Sequence, residues 1–325
     1  MAVHYRPTDY LYISARLRAK ETGLVGRERL ARLCELADAD AVLEALEADG
    51  VLRPAPGADA EQAMLSRLRE ELADVLSAVP DPTLFAFLQY PYDCHNVKSA
   101  LKCYYRGVSP RELWLELGTV PTEAISALPG EVPQELPKHM REAVSAARTA
   151  FEQNGDPREI DFLLDAACFA DMRDAAAPLP FAADLVATRA DLTNLGICRR
   201  LLAMHAGQSA MTTMEHAFLP GGHVPLEALL AALSEGEEAF RALVSKGAYH
   251  AVFEADSAAE IERRMDDFYL EQARRAAAVP FGAEVPIGYL IGLEYAVKNL
   301  RILLAAKRAG ADAATLKGRL RECYV

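Results

Sequence analysis

The chain has 325 residues with 35 basic and 47 acidic side chains, a formal net charge of −12, and is 51% hydrophobic and 25% charged. That balance belongs to a folded chain able to bury a sizeable core, and it excludes extensive disorder. The acidic excess excludes a general affinity for nucleic acid, which needs a basic face to release counterions, and no run of 18 apolar residues is present to cross a bilayer.

In chain order, charge arrives by Arg6, so no secretory leader is expected and a cytoplasmic setting is. "GLVGRERLARL", from Gly23, predicts a turn entering a helix whose first turn carries an acid, as the helix dipole favours. "HNVKSALKCYYRG" carries Asn96 ahead of a helical run ending at Gly107, with Val97, Leu101 and Tyr104 at three- and four-residue steps. The first pattern returns as "GTVPTEAISAL" at Gly118, and the second as "TNLGICRRLLAMHAG", with Asn194 ahead of Gly207. Both return again: "GHVPLEALLAAL" starts at Gly222, and "PIGYLIGLEYAVKNLRILLAAKRAG" spans 286 to 310 around Asn299.

From glycine to asparagine the intervals are 73, 76 and 77 residues, and the asparagines lie 98 and 105 apart. Order and spacing kept three times predict three copies of one helical unit, each long enough to be a small domain. The expected boundaries are 1–110, 111–210 and 211–325, and the segments 23–107, 118–207 and 222–310 should share one helix order. The expected class is all-α, because strand-like alternation is nearly absent. Departures in the second unit are a 13-residue Asn-to-Gly interval against 11 in the others, and Gly196 where they have Lys98 and Arg301.

An asparagine inside a helix costs a few tenths of a kcal/mol or more relative to alanine, so its recurrence predicts a fixed partner for the amide, expected to be a backbone group. The alternative is an exposed polar position. Near the C-terminal end, Lys298, Arg301, Lys307, Arg308, Lys317, Arg319 and Arg321 face Asp312 alone within that stretch. This run reads as a solvated helix face or as contact with an acidic partner, and for the latter Lys298, Arg301, Lys307 and Arg308 are the candidates.

Residue types that could carry chemistry are poorly arranged. The six cysteines lack CxxC spacing and are expected as free thiols. Cys94 beside His95 could form a nucleophile and base, although neighbours diverge by about 100° on a helix. His216 and His223 flank "AFLPGG" and read as loop residues, not metal ligands, while the methionines of "MTTMEH" read as core filling. Asp161 and Asp165 share a helical face without an identifiable partner. Neither G-x-x-x-x-G-K-[S/T] nor G-x-G-x-x-G is present, so no nucleotide, cofactor or metal site is expected.

The same stretches resemble the C subunit of V-type and A-type ATPases, known in eukaryotes as the d subunit. The resemblance runs through "YLYISARLRAKETGLVGRERLARL", "YDCHNVKSALK", "IDFLLDAACFADM" with "DLTNLGI", and "FGAEVPIGYLIGLEYAVKNLRILLAAKRAG" to "RLRECYV". It implies three similar helical domains arranged as a funnel about a pseudo-threefold axis. It also implies a non-catalytic central-stalk role, joining the shaft subunits to the proteolipid rotor ring at the cytoplasmic face of the membrane and coupling ATP turnover to proton or sodium transport. Such a chain should be monomeric when isolated. The rival readings are a helical adaptor unrelated to rotary motors and a hydrolase built around Cys94 or the histidines.

Overall fold

The computed structural model describes residues 5–204, 207–255 and 257–325. Among the described residues every regular element is helical, with sixteen α-helices, four short 3₁₀ turns and no strand. The chain divides into two compact units, one of residues 1–82 with 262–325 and the other of residues 83–261. The positions 110 and 210, expected as boundaries, both fall within the second unit.

The first unit is organised by the helix Glu284–Arg308, which carries Asn299. Seventeen of its 25 residues are buried, so it is apolar nearly all round and has the character of a central helix. The helices Leu11–Glu21, Ala39–Ala48 and Ala60–Ala78 pack against it. The starts of the last two are locally encoded: the Asp38 side chain accepts the Ala41 N–H, and Asp59 with Gln62 forms a reciprocal capping box.

Gly288 and Gly292 lie one turn apart on the central helix and form a notch filled by the buried Tyr324. A Cβ on Gly292 would stand 2.5 Å from Cγ and 2.7 Å from Cβ of that tyrosine, atoms too near the main chain to swing aside. Gly292→Ala should therefore destabilise by about 1–3 kcal/mol, the usual cost of overpacking, and lower the denaturant midpoint. An unchanged midpoint would mean that the terminal segment moves at no cost.

The second unit contains the two other long helices, Ala86–Arg106 with Asn96 and Pro180–Ala203 with Asn194. Between them lies a tight helical hairpin, Lys138–Asn154 and Pro157–Ala176. Its turn follows from three residues: Gly155 takes the left-handed conformation at φ 68°, Asp156 caps the next helix through the Arg158 N–H, and Pro157 occupies the first helical position.

The three glycine-led patterns behave alike at the level of the helix. Helices begin at Arg27, Thr122 and Leu226, four residues after Gly23, Gly118 and Gly222, with Glu28, Glu123 and Glu227 in the first turns. The expected C-terminal glycines behave less uniformly. Gly107 caps its helix in the left-handed region and Gly310 follows the end at Arg308. Gly207, however, lies beyond a helix that already stops at Ala203, and it serves as the N-cap of Gln208–Ala217.

Candidate functional site

No asparagine of the three is exposed. Asn96, Asn194 and Asn299 are all buried, and each makes a two-way hydrogen bond with the backbone of one residue that lies outside any helix, 19, 25 and 22 positions further along the chain respectively. Asn96 donates from Nδ2 to the Leu115 carbonyl at 2.8 Å and accepts the Leu115 N–H at 2.9 Å. Asn194 does the same with Leu219, at 2.8 and 2.9 Å. Asn299 donates to the Arg321 carbonyl at 3.0 Å and accepts its N–H at 2.8 Å. A primary amide is the side chain that can match a peptide unit donor for acceptor, which explains why this weak helix former stands in these helices.

A second device accompanies the first two amides. Three residues before each asparagine, on the same helical face, stands a fully buried aspartate. Asp93 accepts the N–H and hydroxyl of Thr119 and the N–H of Val120. Asp191 accepts the Val224 N–H at 2.8 Å and the Tyr249 hydroxyl at 2.9 Å. Burial pushes the Asp93 carboxyl upward, and the donors from Thr119 and Val120 pull it back. In both cases the carboxylate accepts backbone N–H just ahead of a helix N-terminus, two groups at Asp93 and one at Asp191, where the positive end of the dipole favours negative charge.

These aspartates also account for two of the three shared glycines. A Cβ on Gly118 would lie 2.8 Å from Asp93 Cγ, and one on Gly222 would lie 3.0 Å from Asp191 Cγ, so neither position has room for a side chain. The third asparagine has Ala296 at the corresponding place. There Asp267, from the helix Ala258–Arg274, accepts the Glu322 N–H at 2.7 Å instead, and Val325 O accepts the Arg27 N–H at 3.4 Å. At the first pattern it is accordingly Gly26, not Gly23, that lies tight against Val325. Sequence alone marks these glycines as helix starts and no more. The signal for the rest is the spacing Asp-x-x-Asn, present in "DCHN" and "DLTN".

The basic run near the C-terminal end is mostly engaged within its own unit. Lys298 holds Asp266 at 2.7 Å, Arg301 grips Glu61 with Nε at 3.0 Å, and Lys307 donates to the Cys34 and Leu36 carbonyls. Lys317 pairs with Glu35 and Arg321 with Asp266. Among the described residues, Arg308 makes no ion pair and is exposed.

The other candidates do not form a reactive centre. All six cysteines are free and buried. Cys94 points at the Leu164 carbonyl while His95 reaches the Leu113 carbonyl, so the two side chains diverge. A hydrogen bond with Cys168 and burial push the Cys94 thiol well up, the opposite of an activated nucleophile. His216 sits within the helix Gln208–Ala217, not in a loop, 3.7 Å from Glu159, and His223 stands 3.3 Å from Asp191. Among the described residues no group of three or more His, Cys, Asp or Glu side chains is placed to hold a metal ion. Asp161 and Asp165 do have partners: Lys102 at 2.5 Å and Lys98 at 2.6 Å cross-link the helices Ala86–Arg106 and Pro157–Ala176. Met214 is buried in the core and Met211 is half-buried. Among the described residues no helix is long and apolar enough to cross a membrane.

The chain is similar to the C subunit of the V-type sodium ATPase of Enterococcus hirae, with 23% identity over 329 aligned positions that cover 97% of this chain and 99% of the relative. The model of the ATP synthase (C/AC39) subunit family matches residues 13–319, nearly the whole length. With its all-helical fold, the chain belongs to the ATP synthase (C/AC39) subunit family.

Proposed function

We propose that the chain is the non-catalytic central-stalk subunit of a rotary V-type or A-type ATPase, seated peripherally at the cytoplasmic face of the membrane. There it would link the shaft subunits to the proteolipid rotor ring and couple ATP turnover to proton or sodium movement. Three similar helical repeats about a common axis are part of that reading. The observation that carries it is the family match over residues 13–319 together with the near-complete mutual coverage with the C subunit of a V-type ATPase. The interior supports it physically. Buried asparagines and aspartates are occupied in fixing loops to helices, which suits a part that must transmit force without deforming.

The test is reconstitution of the motor in vesicles with and without this chain. The motor lacking it should hydrolyse ATP without moving ions, and adding the purified chain back should restore transport. Transport retained without the chain, or ATP hydrolysis by the purified chain, would overturn the proposal. Attachment through the basic run is best read at Arg308, because reversing Lys298, Arg301 or Lys307 breaks internal contacts as well. Arg308→Glu should leave the unfolding midpoint unchanged and weaken co-purification with the motor more at low salt than near 1 M, where screening shortens the range to about 3 Å. Equal attachment of variant and wild type at low salt would remove Arg308 from the interface.

A further inference from the structure

In the second unit an ion-pair ladder ends one rung early. Lys98, Lys102 and Arg106 follow at four-residue steps along the helix Ala86–Arg106, and the helix Pro157–Ala176 answers the first two with Asp165 and Asp161. Four residues before Asp161 the answering position is Pro157, which has no charge to offer. Asp156, next to it, is already taken by Arg158 at 2.7 Å. Among the described residues, Arg106 makes no ion pair and is exposed.

At that missing rung lies an open cleft of about 420 Å³, lined by Tyr105, Phe151 and Pro157 with Lys102 and Arg106. The Tyr105 and Phe151 rings lie against one another with centroids 4.2 Å apart. Tyr104 meets the edge of Tyr105 at 5.4 Å and is itself 59% exposed, so the aromatic wall continues out of the cleft onto the surface. Val108 follows just past the helix cap and is 56% exposed. Contiguous apolar surface beside a cation is a composition that contact sites use.

Charge fixes the kind of occupant. Residues 83–261 carry 24 acidic and 14 basic side chains, and at the cleft Lys102 is held by Asp161 and Glu152 accepts from the Tyr105 hydroxyl at 3.1 Å, which leaves Arg106 as the cation with capacity to spare. We propose that this cleft receives an acidic, amphipathic helical segment of a partner protein. A carboxylate of that segment completes the ladder on Arg106, and an apolar side chain one turn away lies on the Tyr105–Phe151 wall. The spread of exposed apolar surface beyond the cleft favours a macromolecular partner over a small acid, because a small ligand would leave Tyr104 and Val108 uncovered. The rest of the unit, being acidic, would repel such a segment, which confines it to this place.

The test places p-benzoylphenylalanine at Tyr104 in the full chain, produced in its own cells, and identifies the cross-linked peptide by mass spectrometry. One defined peptide is expected, with Asp or Glu within a helical turn of the cross-linked residue. Adding Arg106→Glu should lower the yield about tenfold, and a Glu→Lys exchange in the captured peptide should restore it. Arg106 is exposed, so the variant should keep the wild-type helical content and unfolding midpoint, and both are checked. A lipid adduct, a cross-link to a second copy, a peptide without acidic residues, no adduct, or a yield indifferent to Arg106→Glu would each overturn the proposal. The outcome is independent of the rotary reading, since the sequence of the captured protein reports separately whether it belongs to such a motor.

Discussion

Asn194→Ala should lower the stability of the second unit by about 2–4 kcal/mol, among the largest effects of any single substitution in the chain. Both partners of the amide belong to Leu219, which is buried with Phe169 and Ala190 around it. Removing the amide leaves one N–H and one carbonyl in a site closed to water, and each orphaned group costs about 1–3 kcal/mol. Two further variants separate this mechanism from simple loss of packing. Asn194→Leu fills the space but leaves the peptide unit of Leu219 unsatisfied, so it should rescue little. Asn194→Asp can still accept the Leu219 N–H but sets a second acceptor against the Leu219 carbonyl, so it should remain destabilised at neutral pH. Asn96→Ala should cost less, because Leu115 is only half-buried and water can reach part of the vacated site. Denaturant midpoints measured on the four variants give the ranking. Full stability in Asn194→Leu would assign the role of this residue to volume alone.

How much of this is legible in the sequence depends on whether the partners are near in the chain. Helix starts four residues after Gly23, Gly118 and Gly222 follow from local rules of turn, proline and first-turn acid, and the structure places them as expected. The asparagines are conspicuous because they break a local preference three times, although the identity of the loop residue each one holds is not visible. Ion pairs are out of reach. Arg301 meets Glu61 across 240 positions and Lys317 meets Glu35 across 282, so a run that looks unopposed in sequence is largely neutralised in space. Asp161 and Asp165 look partnerless for the same reason, with Lys102 and Lys98 lying 59 and 67 positions away. Gly207 misleads in the other direction: the helix Pro180–Ala203 stops early, and the glycine begins the next element.

Gly222→Ala should be as costly as the loss of Asn194, for a reason that involves no backbone strain. The glycine does not occupy the left-handed region; what it lacks is space, since an added Cβ would stand 3.0 Å from Asp191 Cγ and 3.2 Å from the Asp191 N. The carboxylate cannot retreat freely, because it is fully buried and holds the Val224 N–H and the Tyr249 hydroxyl. Either the loop is pushed away from the helix or the carboxylate abandons its donors. Overpacking at about 1–3 kcal/mol and lost charge-assisted hydrogen bonds together give a loss of about 3 kcal/mol. Gly118→Ala should behave alike against Asp93, where the added Cβ would lie 2.8 Å from Cγ. Gly318→Ala is the control: nothing lies within 4 Å of its Cβ, it sits in the helix Ala313–Arg319, and it should gain about 0.5–1 kcal/mol from helix propensity. The decisive measurement is a double-mutant cycle with Asp191→Ala. If the carboxylate is the obstacle, Gly222→Ala should cost no more than about 1 kcal/mol once that carboxylate is gone, a coupling well above the roughly 0.5 kcal/mol within which independent sites add. Equal losses in both backgrounds would place the cost in the backbone of the loop and release Asp191 from its role in choosing glycine.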